Sequence, residues 1–141
     1  LQAALSSPPI TPPTETRHID PKTGGQKGVK LERFDLVPFE ALQALARLYG
    51  KGAIKYEPDN WRRGYAWRLS LGGMLRHVAL WAMGKSWDTA DGTKDGPCEL
   101  DSDGKPIHTG EHHLTCAAWH CFTLYVFETQ NLGTDDRVKS A

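Results

Sequence analysis

The sequence predicts an all-α protein: a small helical bundle with a long N-terminal arm and a long Gly/Asp-rich loop between its last two helices. Three observations lead there. Apolar residues recur at spacings of three and four in separate stretches, as in helices that bury one face. No long span alternates apolar and polar residues as a half-buried strand does. Proline and glycine, which interrupt helices, gather between those stretches and at the N-terminal end.

Residues 1–19 carry four prolines and a Ser/Thr run, too broken for a regular element, so residues 1–23 read as a flexible arm. From Asp20 to Asp35 runs a polar loop in which Gly24, Gly25 and Gly28 permit close backbone approach and Lys27, Lys30 and Arg33 can face an anion. It lacks the GxxxxGK[ST] pattern, and a solvated charged loop accounts for it equally well. Pro38 opens a helix expected to run to Tyr49, with Leu42, Leu45, Ala46 and Tyr49 on its apolar face and Gly50 as its stop. The segment after it is rich in Gly, Pro and Asn, yet holds Tyr56, Trp61, Tyr65 and Trp67, aromatic anchors that can fix Lys55, Asn60 and Arg62 in place.

A second helix is expected from about Trp67 or Ser70 to Lys85, burying Met74, His77, Val78, Trp81 and Ala82. Asp88 stands at its exit. The long loop beyond completes no calcium-binding pattern and has room for a short hairpin turning at Gly104. A last helix, from near Gly110 to Asn131, lines up His113, Cys116, Ala117, His120, Leu124 and Phe127, and the polar residues after it are expected to fray. Residues 24–132 thus read as a single helical domain and 133–141 as a tail.

Seventeen basic residues balance seventeen acidic ones, which argues against binding extended nucleic acid by phosphate attraction. No run is long and apolar enough for a bilayer. Cys98, Cys116 and Cys121 form no CxxC, so reduced thiols and a cytoplasmic setting are expected. Five tryptophans are more than three helices can cover alone, which points to a homo-oligomer.

Spacing also brings chemistry together. His113, Cys116 and His120 share one side of the last helix, and packing against the second helix would let His77 meet His113 or His120, with Asp88 closing the cluster. Imidazoles with carboxylates suit a divalent first-row ion, and Glu57, Asp59 or Glu111 can add oxygens. Two other readings stand beside this one. A zinc staple would use Cys98, His108, His113 and Cys116, and a non-enzymatic binder would keep His77, His113 and His120 as a buried hydrogen-bond network.

The succession GGQKGVKLERFDLVP, LYGKGAIKYEPDNWRRGYAW, LRHVALWAMGKSWD and HHLTCAAWH resembles the phage and bacterial dATP/dGTP diphosphohydrolases, grouped loosely with MazG-like nucleotide pyrophosphohydrolases. The likeness spans Gly24 to Phe127. Lys55, Tyr56, Asn60 and Trp61 fall on its KY and NW positions, Arg76, His77, Gly84 and Asp88 on its second motif, and His113, Trp119 and His120 on its third. Family members often carry histidine where this chain has Cys116, and a shorter connection in place of Thr89 to Thr109. The ExxE and ExxD pairs of MazG-type enzymes are missing from the second and last helices. The resemblance implies hydrolysis of a purine deoxynucleoside triphosphate to monophosphate and pyrophosphate with Mg2+ or Mn2+. His77, Asp88, His113, His120 and Glu57 would hold the ion; Lys27, Lys30, Lys55 and Arg76 would meet the phosphates; Tyr56, Asn60 and Trp61 would meet the base.

Overall fold

Three amphipathic segments become helices: α1 (Phe39–Tyr56), α2 (Trp67–Ala82) and α3 (His113–Gln130). The computed structural model describes residues 16–88, 99–100, 102, 106–107 and 110–139. The chain divides into two compact units, Leu1–Val37 and Pro38–Ala141. The second unit is an all-α, three-helix bundle in which α2 packs along α3 and α1 packs on α3.

Its boundaries depart instructively from the sequence expectation. α1 does not stop at Gly50 but runs through Gly50 and Gly52 to Tyr56. Neither glycine adopts a positive φ, so the backbone simply continues helical and the residual cost is glycine's entropy. Lys51, Lys55 and Tyr56 therefore stand on a rigid helix rather than a loop. The stop comes at Glu57, whose φ of 110° lies outside helical space, and Asp59 at φ 61° completes the reversal into a 3-10 turn at Asn60–Arg63. On α2 the buried residues are Trp67, Ser70 and His77, whereas Val78 and Trp81, expected inside, are 42% and 46% exposed. The reason is packing: α2 is covered chiefly by α3, which shields a narrower stripe than two neighbours would. α3 buries His113, Cys116, Ala117, Thr123 and Phe127.

Two close approaches set the geometry. A β-carbon on Gly73 would lie 2.6 Å from Nε2 of His120, so only glycine lets α3 come this near α2. At the other end of α2 the residues expected to fray instead form a clasp. Trp67 Nε1 donates to the carbonyl of Leu132 at 2.8 Å, Trp67 N to Thr134 O at 3.0 Å, and Ala66 bridges Thr134 in parallel. Gly64 and Gly133, both at positive φ, interlock there without room for a side chain on either.

Short ribbons complete the described structure. In the N-terminal unit β1 (Arg17–Ile19) pairs antiparallel with β2 (Gln26–Gly28), in a stretch expected to be arm and loop. Asp20 makes the turn, accepting from the amides of Lys22 and Thr23 at 2.9 and 2.8 Å. In the helical unit β3 (Trp87–Asp88) and β6 (Glu111–His112) form one ribbon, and β4 (Glu99–Leu100) and β5 (Pro106–Ile107) another, flanking the expected hairpin turn. Gly104, Cys98 and His108 lie outside the described residues.

The glycine pair on α2 supplies a test. Gly72 is exposed, and nothing lies within 4 Å of the point a β-carbon would take, so Gly72→Ala should raise stability by about 0.5–1 kcal/mol. Gly73→Ala should lower it by about 1–3 kcal/mol through the clash with His120. Urea unfolding of both variants measures the difference.

Candidate metal centre

α2 presents His77 inward, 5% exposed, and α3 presents His113 and Cys116, both buried. The β3–β6 ribbon brings Asp88 to the same place, because its pairing holds the exit of α2 against the start of α3; the amide of His113 also donates to Ser86 O at 2.8 Å. One ligand atom each from His77, Asp88 and Cys116 lies within 4.8 Å of the other two. His113 joins through His77, their Nδ1 atoms 2.9 Å apart.

Hydrogen bonding fixes the protons. The Arg76 guanidinium donates to His77 Nε2 at 3.2 Å, so Nδ1 of His77 carries the hydrogen and donates to His113 Nδ1. Burial, with Arg76 adding to it, pushes His77 down from an ordinary 6.5 to about 4, so the ring is neutral at physiological pH. Burial together with the nearby Asp88 and Glu111 carboxylates pushes the Cys116 thiol up to about 11. His120 is lowered as well, again by burial and then Arg76. Its ring stacks on His77 at 5.9 Å between centroids, and its Nδ1 is 3.1 Å from Ser70 Oγ, which in turn bonds Tyr65 Oη at 2.7 Å.

This donor set fits a cation. His77, Asp88 and Cys116 each bring one ligand atom within 4.8 Å of the other two, close enough to share one ion. Arg76 reaches Asp88 at 3.8 Å as well as His77. Imidazole, carboxylate and thiol together form a mixed N, O and S set.

His77, Cys116 and His120 also form part of the wall of a cavity of about 850 Å³. Lys51, Lys55, Tyr56, Glu57, Asn60 and Trp61 line it too. Trp61 is at the same time packed against Tyr49, Trp119 and Phe127, with centroids 6.1–6.4 Å away. Lys55 sits 4.8 Å over the Tyr56 ring. Glu57 pairs with Arg63 at 3.6 Å and is not among the three converging ligands; nor is His120. Lys27 and Lys30 belong to the N-terminal unit, where Lys27 lies on β2. Local spacing gives no sign of Lys51, which pairs with Glu111, or of the Tyr65–Ser70–His120 chain. In the sequence expectation Cys116 is a ligand of the zinc alternative and stands where family members often carry histidine; its place three residues after His113 puts it on the same face.

The lowered His77 value makes stability pH-dependent. Between pH 6.5 and 4 the unfolded chain binds a proton that the folded ring refuses, so stability is complete above that window and falls on acidification through it. The loss by pH 4 should reach up to about 3 kcal/mol. Thermal unfolding with a chelator present at pH 7.5 and 4.5 should show the drop, and His77→Gln should flatten it.

Neither the curated proteins nor the solved structures compared with the chain contain a match. Among protein families, the one described as dATP/dGTP diphosphohydrolase, N-terminal, matches residues 21–137. The chain therefore belongs to that family, and its membership together with the His77, Asp88 and Cys116 cluster supports a metal-dependent hydrolase function.

Proposed function

We propose that the protein hydrolyses a purine deoxynucleoside triphosphate, dATP or dGTP, to the monophosphate and pyrophosphate. One observation carries this reading: the cluster of His77, Asp88 and Cys116 opens, through His77 and Cys116, onto a cavity of about 850 Å³ whose other walls offer aromatic rings and lysines. That volume falls within the range of about 300–1,000 Å³ usual for small-ligand sites.

Water attacks the α-phosphorus, the bond from that phosphorus to the bridging oxygen breaks, and the electron pair leaves with pyrophosphate. Lys51 and Lys55, one turn apart on α1, bind the phosphate chain from the cavity side, and half-exposed Arg76 reaches it from α2. Tyr49, Trp61 and Trp119 offer ring faces to a purine, Asn60 a polar edge, and Tyr56 a further ring at the cavity wall. The proton shed by the attacking water needs a neutral base, and burial keeps His120 in that form. A divalent cation bound by His77, Asp88 and Cys116, with His113 adjoining, supplies charge neutralisation and Lewis-acid activation of water. Of the two ions expected, Mn2+ suits nitrogen and sulfur donors better than Mg2+.

No helix among the described residues is long and apolar enough to cross a membrane, in keeping with a cytoplasmic enzyme. Leu69, Leu75, Val78 and Trp81 leave apolar surface on α2, Ile54 on α1 and Tyr125 on α3, which favours a homo-oligomer. A second reading, nucleotide binding without hydrolysis, draws on both ring nitrogens of His77 being already engaged.

Purified protein incubated with each dNTP and Mn2+ should release monophosphate and pyrophosphate, and His77→Ala should reduce the rate by about 100-fold or more. Absence of product with any dNTP and either ion would favour the binder. A variant that melts earlier while keeping its rate would assign His77 to structure alone.

A further inference from the structure

The β3–β6 ribbon sets two carboxylates directly opposite each other. Asp88 pairs with Glu111, while Trp87 pairs with His112 on the other face, their rings 5.1 Å apart. Like charges in directly paired positions repel, so such a pair persists only where cations answer it. Each acid has one: Arg76 for Asp88 and Lys51 for Glu111. The two pairs differ in what they join. Lys51 is 53% exposed in its side chain and lines the cavity, while Glu111 is 17% exposed and does not line it. In this arrangement Glu111 turns to Lys51 and is not among the converging ligand atoms, although its β-strand partner is.

The lysine is thus the movable half. A long side chain with a half-hydrated ammonium exchanges one anion for another readily, and a triphosphate carries more charge than one carboxylate. The glutamate is the half that cannot do without a cation, being mostly shielded from water next to a second acid.

We propose that the Lys51–Glu111 ion pair is a latch between the phosphate cavity and the cation site: phosphate drawn to Lys51 frees the Glu111 carboxylate for the cation beside Asp88. This rests on the reading of the site as one for a cation and a phosphate chain. It makes the two ligands mutually reinforcing, since whatever occupies one side of the pair releases the other. It also adds an oxygen donor from β6 to the imidazole, carboxylate and thiol already converging.

A double-mutant cycle tests it with wild type, Lys51→Met, Glu111→Gln and the double variant, each first checked for folding by circular dichroism and thermal unfolding. The probes are Mn2+ alone and inorganic phosphate alone, titrated calorimetrically. Lys51→Met should tighten Mn2+ binding on the order of 10-fold, and Glu111→Gln should tighten phosphate binding comparably. Both gains should vanish in the double variant, because each needs the partner that was released. Gains that persist in the double variant overturn the latch, and so does their absence in the single variants; a purely electrostatic effect would instead make Glu111→Gln weaken Mn2+ binding about as much as Lys51→Met strengthens it, and that result also overturns the latch. A wild type that binds neither Mn2+ nor phosphate overturns the proposed site along with the latch, whereas binding of both with additive variants overturns the latch alone.

Discussion

The close approach of α2 to α3 at Gly73 is the constraint on which the rest of the helical unit depends. With no side chain there, the His120 ring lies against the α2 backbone and stacks on His77, and His77 in turn meets His113 at 2.9 Å. A wider crossing would separate the histidines and leave buried imidazoles without partners, which costs more than the lost dispersion contacts. Both ends of the crossing are tied. The Leu132–Thr134 clasp holds the start of α2, and the β3–β6 ribbon holds its exit against the start of α3.

That crossing gives an interior polar for its size. Ser70, His77, His113 and Thr123 are buried beside Leu45, Trp67, Cys116, Ala117 and Phe127. Each polar group inside reduces the apolar area the fold can use for cohesion, and much apolar surface remains outside, including Ile54 at 89% and Leu69 at 68% exposure. The centre of the bundle is organised around a hydrogen-bonded site more than around a hydrophobic core, a distribution natural to proteins whose stability is traded against function.

The overall charge balance conceals local arrangement. Around the cluster, guanidinium and ammonium groups answer carboxylates pair by pair, with Arg76 on Asp88 and Lys51 on Glu111. The cations of both pairs are more exposed than the acids they neutralise, 54% against 36% and 53% against 17%. Their flexible ends are accordingly the parts free to meet an incoming anion, while the acids stay with the site.

Much was legible in the sequence. The three helices and the shared face of His113 and Cys116 follow from local spacing, because the 3.6-residue period is a property of the backbone itself, and the family resemblance rests on the motif residues themselves. Where the sequence misled, the cause was tertiary: Gly50 is a helix stop by propensity, yet α1 continues to Tyr56, and Val78 and Trp81 belong to an apolar stripe that α3 does not cover. By itself the sequence determined which residues share a helix face and which chemistry they carry. Only the tertiary structure decided that Asp88 faces Glu111, that Cys116 joins His77, and that Lys51 answers Glu111. Those contacts join residues far apart in the chain, and helix crossing distance and strand register set them, quantities to which no local period is sensitive.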